Sequence, residues 1–88
     1  MKKDITNAVG EKFSIPTETL GEIPLILLSG KRSVSIENHR GITEYTDTVV
    51  QIEVKRGAVR VVGFGLSIAQ MTRKCVEIRG TIRAVELE

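Results

Sequence analysis

From Leu25 onward, apolar and polar residues alternate. Val34 and Ile36 sit among Ser33, Ser35 and Glu37; Val50, Ile52 and Val54 sit among Gln51, Glu53 and Lys55. A period of two marks strands with one buried face. The run Leu25-Ile26-Leu27-Leu28 is apolar at every position, the pattern of a strand covered on both faces. Glycines at 30, 41, 57, 63, 65 and 80 interrupt these runs as turns or bulges. The first 24 residues have a different texture. Ile5, Ala8, Val9 and Phe13 recur at spacings of three and four, which predicts a short amphipathic helix over residues 5–13. Pro16 opens a second turn of helix through residues 17–20, with Ser14 as its cap, and Gly21 and Pro24 close it.

Two hairpins can be tested on register. A two-residue turn at Arg56-Gly57 sets Val54 against Val59, Glu53 against Arg60 and Ile52 against Val61. Apolar then meets apolar on one face and opposite charges meet on the other. A three-residue turn at Arg79-Gly80-Thr81 opposes Ile78 with Ile82 and Glu77 with Arg83. Val85 and Leu87 then fall out of phase with Ile82, so a bulge or a kinked continuous strand fits equally well. The expected fold is mainly all-β. Six to eight short antiparallel strands form a meander folded into a sandwich or partly open barrel, after a short helical N-terminus.

At 88 residues the chain is one domain, residues 1–24 forming the helical segment and 25–88 the β-meander. A chain this short buries only about 60% of the surface that its unfolded form exposes, so its margin of stability is thin. Cys75 is the only cysteine and His39 the only histidine. Neither an internal disulfide nor a tetrahedral zinc site can be assembled from them within one chain. Self-association or docking on a partner is the supplement left. The net charge is only +2, with bases and acids interleaved, whereas nucleic-acid binders concentrate Lys and Arg on one face. No apolar run approaches the roughly 20 residues that span a bilayer. A cytoplasmic protein without membrane insertion is expected.

The densest polar cluster is Glu37-Asn38-His39-Arg40-Gly41. Glu37 with His39 could serve as an acid–base pair, and a hydrolase reading uses His39 with Glu37 or Asp47. No Ser or Cys nucleophile is tied to the cluster by spacing. A turn with Gly41 at positive φ and Asn38 bonding its own backbone accounts for the same residues, and such a turn can also touch a partner. Glu37, Asn38, His39, Arg40 and Gly41 are therefore the candidate partner-binding residues, with no catalytic, metal or cofactor site expected.

Other apparent motifs fail on spacing. Ser29-Gly30-Lys31-Arg32 lacks the upstream glycine and the Ser or Thr after Lys that a phosphate loop needs. Gly63-Phe64-Gly65 has two glycines of a dinucleotide fingerprint but no third, and suits a bulge or bend within a strand. Cys75 lies in an apolar strand as a small buried hydrophobe. Phe13, Tyr45 and Phe64 are too scattered to stack bases. The pairs Lys55-Arg56 and Arg73-Lys74 suit solvated turns.

Two stretches resemble a known family. Ile36-Glu37-Asn38-His39-Arg40-Gly41-Ile42 and the segment from Ile52-Glu53-Val54-Lys55-Arg56-Gly57 through Val62-Gly63 are similar to the core of the YabP/YqfC family of sporulation proteins. Tyr45-Thr46-Asp47 and the closing Val76-Glu77-Ile78-Arg79-Gly80-Thr81-Ile82-Arg83-Ala84-Val85 fit it too. Ile15-Pro16 and Ile23-Pro24-Leu25 resemble the YqfC branch, and the likeness spans roughly residues 12 to 87. The resemblance implies a non-enzymatic protein of the mother cell of a sporulating bacterium. Its implied partner is a YqfD-type membrane protein. A protein-interaction or assembly factor, homo-oligomeric or docked on that partner, is the leading expectation. A small nucleic-acid-binding β-barrel is the alternative.

Overall fold

The computed structural model describes residues 23–88. Six strands follow one another: β1 (Leu25–Ser29), β2 (Ser33–Glu37), β3 (His39–Tyr45), β4 (Val49–Val54), β5 (Gly57–Met71) and β6 (Cys75–Leu87). They form one antiparallel sheet in the order β1-β2-β6-β5-β4-β3. The fold is all-β, as expected. Four strands, β3 to β6, run as a meander, and the β1–β2 hairpin joins on the far side of β6. The helical expectation for the N-terminus falls almost wholly on residues 1–22, outside the described residues.

A single linking residue dictates the curvature. In the sheet, β2 and β3 are separated by β6, β5 and β4, four strand spacings or ~19 Å in a flat sheet. Only Asn38 lies between them, and two Cα steps span at most ~7 Å. The sheet must therefore curl until the end of β2 meets the start of β3. Among the described residues, the result is a partly open barrel whose outer strands are β1 and β3.

The curl is concentrated in the two long strands. Pairing of β5 with β6 shifts register between Val62 and Gly63 and again between Phe64 and Ser67, so Gly63-Phe64-Gly65 is a bend within a strand. A Cβ at Gly63 would sit on the Thr81 carbonyl oxygen, and one at Gly80 would lie 2.6 Å from the Gly65 oxygen. The backbones touch where the strands bend. Two hairpin turns fold over this bend and take up its N–H groups. Gly63 and Leu66 donate to the carbonyls of Thr48 and Asp47 at 3.0 and 2.8 Å. Gly80 and Ile82 donate to those of Arg32 and Lys31 at 3.1 and 2.7 Å.

The enclosed face is apolar. Val34, Ile36, Val76 and Ile78 line one half, and Val50, Ile52, Val54, Val59 and Val61 the other, with Leu66 and Ile82 at the bend. Of the three arrangements open for residues 79–81, the kinked continuous strand is the one formed, with Gly80 at φ 145°. The phase change that follows also has a cause. Val62 pairs with Ala84 and Gly63 with Ile82, so Arg83 is an extra, bulged residue that returns Val85 to the core side.

Two expectations are corrected. The β4–β5 turn is at Lys55-Arg56, one residue earlier than expected. Val54 therefore opposes Gly57, Ile52 opposes Val59, Val50 opposes Val61, and Arg60 faces Gln51 instead of Glu53. The pairs shift by two, so each side chain keeps its face. Arg56 itself takes the left-handed conformation, φ 68°. Gly57 is needed elsewhere, because a Cβ there would sit on the Glu88 carbonyl oxygen. Ala58 and Glu88 exchange both backbone hydrogen bonds beside it, at 3.0 and 2.8 Å.

The second correction concerns residues 25–28, expected to be covered on both faces. Leu25, Leu27 and Leu28 are 51%, 66% and 52% exposed. Among the described residues, β1 pairs only with β2 and forms an edge of the sheet.

Candidate functional site

The five polar candidates come together at the corner where β2 becomes β3. Asn38 adopts φ 65°, which asparagine tolerates better than most residues. Its backbone N–H donates to the Lys74 carbonyl at 2.6 Å. Its side-chain Nδ2 donates to the Ile23 carbonyl at 2.8 Å, across to the start of β1, instead of bonding its own backbone. Gly41, at φ 126°, sits inside β3 where the register slips between His39 and Gly41. Glu37 and Arg40 are exposed on either side of the corner.

His39 is held at both ring nitrogens. Nε2 lies 2.9 Å from the Thr72 carbonyl oxygen, and the Gly41 N–H donates to Nδ1 at 3.1 Å. A carbonyl only accepts and an amide N–H only donates, so the two contacts together assign the neutral Nε2–H tautomer. Thr72 belongs to the β5–β6 turn, which its own hydroxyl organises by accepting from the Cys75 and Lys74 N–H groups at 3.0 and 3.3 Å. Asn38 and His39 thus clamp the β2–β3 corner onto that turn.

The structure does not bring the hydrolase set together. Asp47 lies at the opposite end of β3, in the β3–β4 turn, where its carbonyl serves Leu66. Both His39 nitrogens face backbone groups, so neither is turned toward a carboxylate. Cys75 is half-buried with a free thiol, beside Glu37 on β2. Among the described residues, no three His, Cys, Asp or Glu side chains are grouped to hold a metal ion. None of the described residues forms a helix long and apolar enough to cross a membrane. Lys55-Arg56 and Arg73-Lys74 occupy turns, with Arg56, Arg73 and Lys74 exposed.

A second surface was not anticipated. Pairing of Ile26 with Ile36 and Leu28 with Val34 puts those two β1 side chains on the core side. Leu25 and Leu27 point the other way, outward, next to Glu37 and Ser35. Tyr45 on β3, Phe64 and Met71 on β5 and Leu87 on β6 are also exposed, Phe64 and Met71 seven residues apart. Among the described residues, β1 holds the densest group, three exposed leucines within four positions. Pro24 directly before the strand was the available signal, since proline in a sheet belongs at edges and strand starts.

The YabP family model matches residues 23–88, the whole of the described sheet. The chain is also 28% identical over 85 residues to the protein YqfC of Bacillus subtilis (strain 168), covering 97% of this chain and 87% of that one. No solved structure matches it. The sheet, its corner and its β1 edge thus all lie within the matched segment, and the chain belongs to the YabP/YqfC family.

Proposed function

We propose that this chain is a non-enzymatic sporulation protein that works in the mother-cell cytoplasm as a protein-interaction or assembly factor. The observation that carries the reading is β1, the edge strand of the described sheet, with exposed leucines at 25, 27 and 28. Exposed apolar edges are templates for pairing with another chain. The corner supports the same view from the chemical side. A histidine whose two nitrogens are both bound to backbone groups is positioned to hold a fold, and has no lone pair left to take a substrate proton. Membership of the YabP/YqfC family supports the sporulation context, and a YqfD-type membrane protein is the proposed partner. The exposed flanks of the corner, Glu37 and Arg40, are proposed as its polar contacts.

Affinity purification of the tagged full chain from sporulating cells tests this. Stoichiometric recovery of a YqfD-type protein, lost on replacing Leu25 and Leu27 by Lys, is the expected result. Recovery of the bare chain alone, together with normal spore yield in its absence, would sink the reading.

A further inference from the structure

We propose that β1 is a self-association edge, at which two copies of this chain pair their β1 strands antiparallel about a twofold axis through Leu27. The inference rests on the protein-contact role proposed above and makes the β1-paired dimer the form that meets the membrane-protein partner, so that replacing Leu25 and Leu27 by Lys disrupts both contacts.

The two outer strands of the described sheet differ in kind. β3 is interrupted by register slips between His39 and Gly41 and between Ile42 and Glu44, and it carries Arg40 and Glu44. Irregular backbone and charge of this sort discourage edge-to-edge pairing. β1 has neither. It pairs with β2 without a slip and its five residues, LILLS, carry no charge. Within the described sheet, the β3 edge is blunted and the β1 edge is not.

Charge sorts the β1–β2 hairpin in the same sense. Its turn carries Lys31 and Arg32, both exposed, while its other end carries exposed Glu37 beside Leu25. An antiparallel twofold pairing sets the basic end of each copy against the acidic end of the other; a parallel pairing would stack like charges. With Leu27 on the axis, Leu25 of each copy lies opposite Ser29 of the other. The outward leucines at 25 and 27 of both copies then form one apolar cross-strand cluster. This accounts for outward leucines that are exposed within the described sheet. Five residues of strand bury less than the standard interface, so the dimer is expected to be weak and concentration-dependent.

Sedimentation of the full chain over a concentration series, combined with cysteine cross-linking, tests the proposal. The wild-type chain, 9.7 kDa, should pass reversibly to a species of twice that mass, and Leu27→Lys should weaken the association at least about tenfold. In a Cys75→Ser background, Leu27→Cys should oxidise to a cross-linked dimer, because directly opposed Cα atoms lie at ~4.5–5.5 Å, within disulfide reach. Leu25→Cys should cross-link far more slowly, since its two copies would stand ~14 Å apart. A chain that stays monomeric to about 1 mM overturns the proposal. So does a dimer indifferent to Leu27→Lys, or one that cross-links equally through position 25. A monomer that still retains a partner from sporulating cells overturns the second copy alone, with the contact role standing. A dimer whose absence leaves sporulation unchanged does the reverse.

Discussion

The backbone N–H of Asn38 donates to the Lys74 carbonyl at 2.6 Å, and this contact joins the only corner between β2 and β3 to the β5–β6 turn. The corner must be one residue long, left-handed, and able to bond Ile23 through its side chain. Asn38→Gly keeps the backbone conformation and loses only the Nδ2 bond, so it should cost about 1 kcal/mol. Asn38→Val adds the left-handed penalty for a β-branched residue and should cost clearly more, about 2–3 kcal/mol. Chemical denaturation of the two variants checks the order. Equal losses would mean that the conformation at residue 38 is not what the corner requires.

Gly63 and Gly65 stand two residues apart and should respond differently to the same substitution. At Gly65, φ is 61° and nothing lies within 4 Å of a built Cβ, so Gly65→Ala meets backbone strain alone. That is worth about 1–2 kcal/mol. At Gly63 the Cβ would coincide with the Thr81 carbonyl and also meet Leu66 Cδ2 at 3.2 Å. The bend of β5 against β6 would have to open. Gly63→Ala should therefore remove most of the roughly 5–15 kcal/mol available to a domain of this kind. Thermal unfolding of both variants gives the comparison.

His39 separates a folding role from a contact role. His39→Ala removes a bond to Thr72 and the acceptor for the Gly41 N–H, and should cost about 1–3 kcal/mol of stability. If His39 acts only through the corner, partner recovery should fall only as far as the folded fraction falls. A stable His39→Ala protein that no longer retains its partner would place the imidazole in the contact itself.

Much of the fold could be read from the period-two pattern. Val34, Ile36, Val50, Ile52 and Val54 are all on the buried face, as their alternation predicts. The glycine pair at 63 and 65 marked a bend within a strand, and the out-of-phase Val85 pointed to the irregularity now located at Arg83. The sequence misled where a local signal had a tertiary cause. Gly57 looked like a turn residue, yet what demands it is the backbone of Glu88, thirty-one residues further along. The continuous apolar run at 25–28 looked like a covered strand, but composition cannot show whether the cover comes from the same chain. The residues of the candidate corner were legible as a group, because a dense polar string with one glycine has few homes in a small sheet. Their clamp onto Thr72 and Lys74 was not, since nothing local links positions more than thirty residues apart.

The observed β4–β5 register makes a prediction that the alternative register does not. Arg60 Nη1 bonds Gln51 Oε1 at 2.8 Å and Glu44 Oε1 at 3.2 Å, bridging β5 across β4 to β3. Glu53 faces Ala58 instead. Double-mutant cycles to Ala should give coupling between Arg60 and Gln51 of roughly 0.5–1 kcal/mol, as for a cross-strand polar pair. Coupling of Arg60 with the half-exposed Glu44 should be smaller and should fade with added salt. Coupling between Arg60 and Glu53 should lie within error of zero. A turn at Arg56-Gly57 would invert the pattern, making Glu53 the strong, salt-sensitive partner and leaving Gln51 uncoupled. Since either register keeps Ile52 and Val61 in the core, the apolar face cannot distinguish them. The polar face can, and Arg60 is the residue that reports on it.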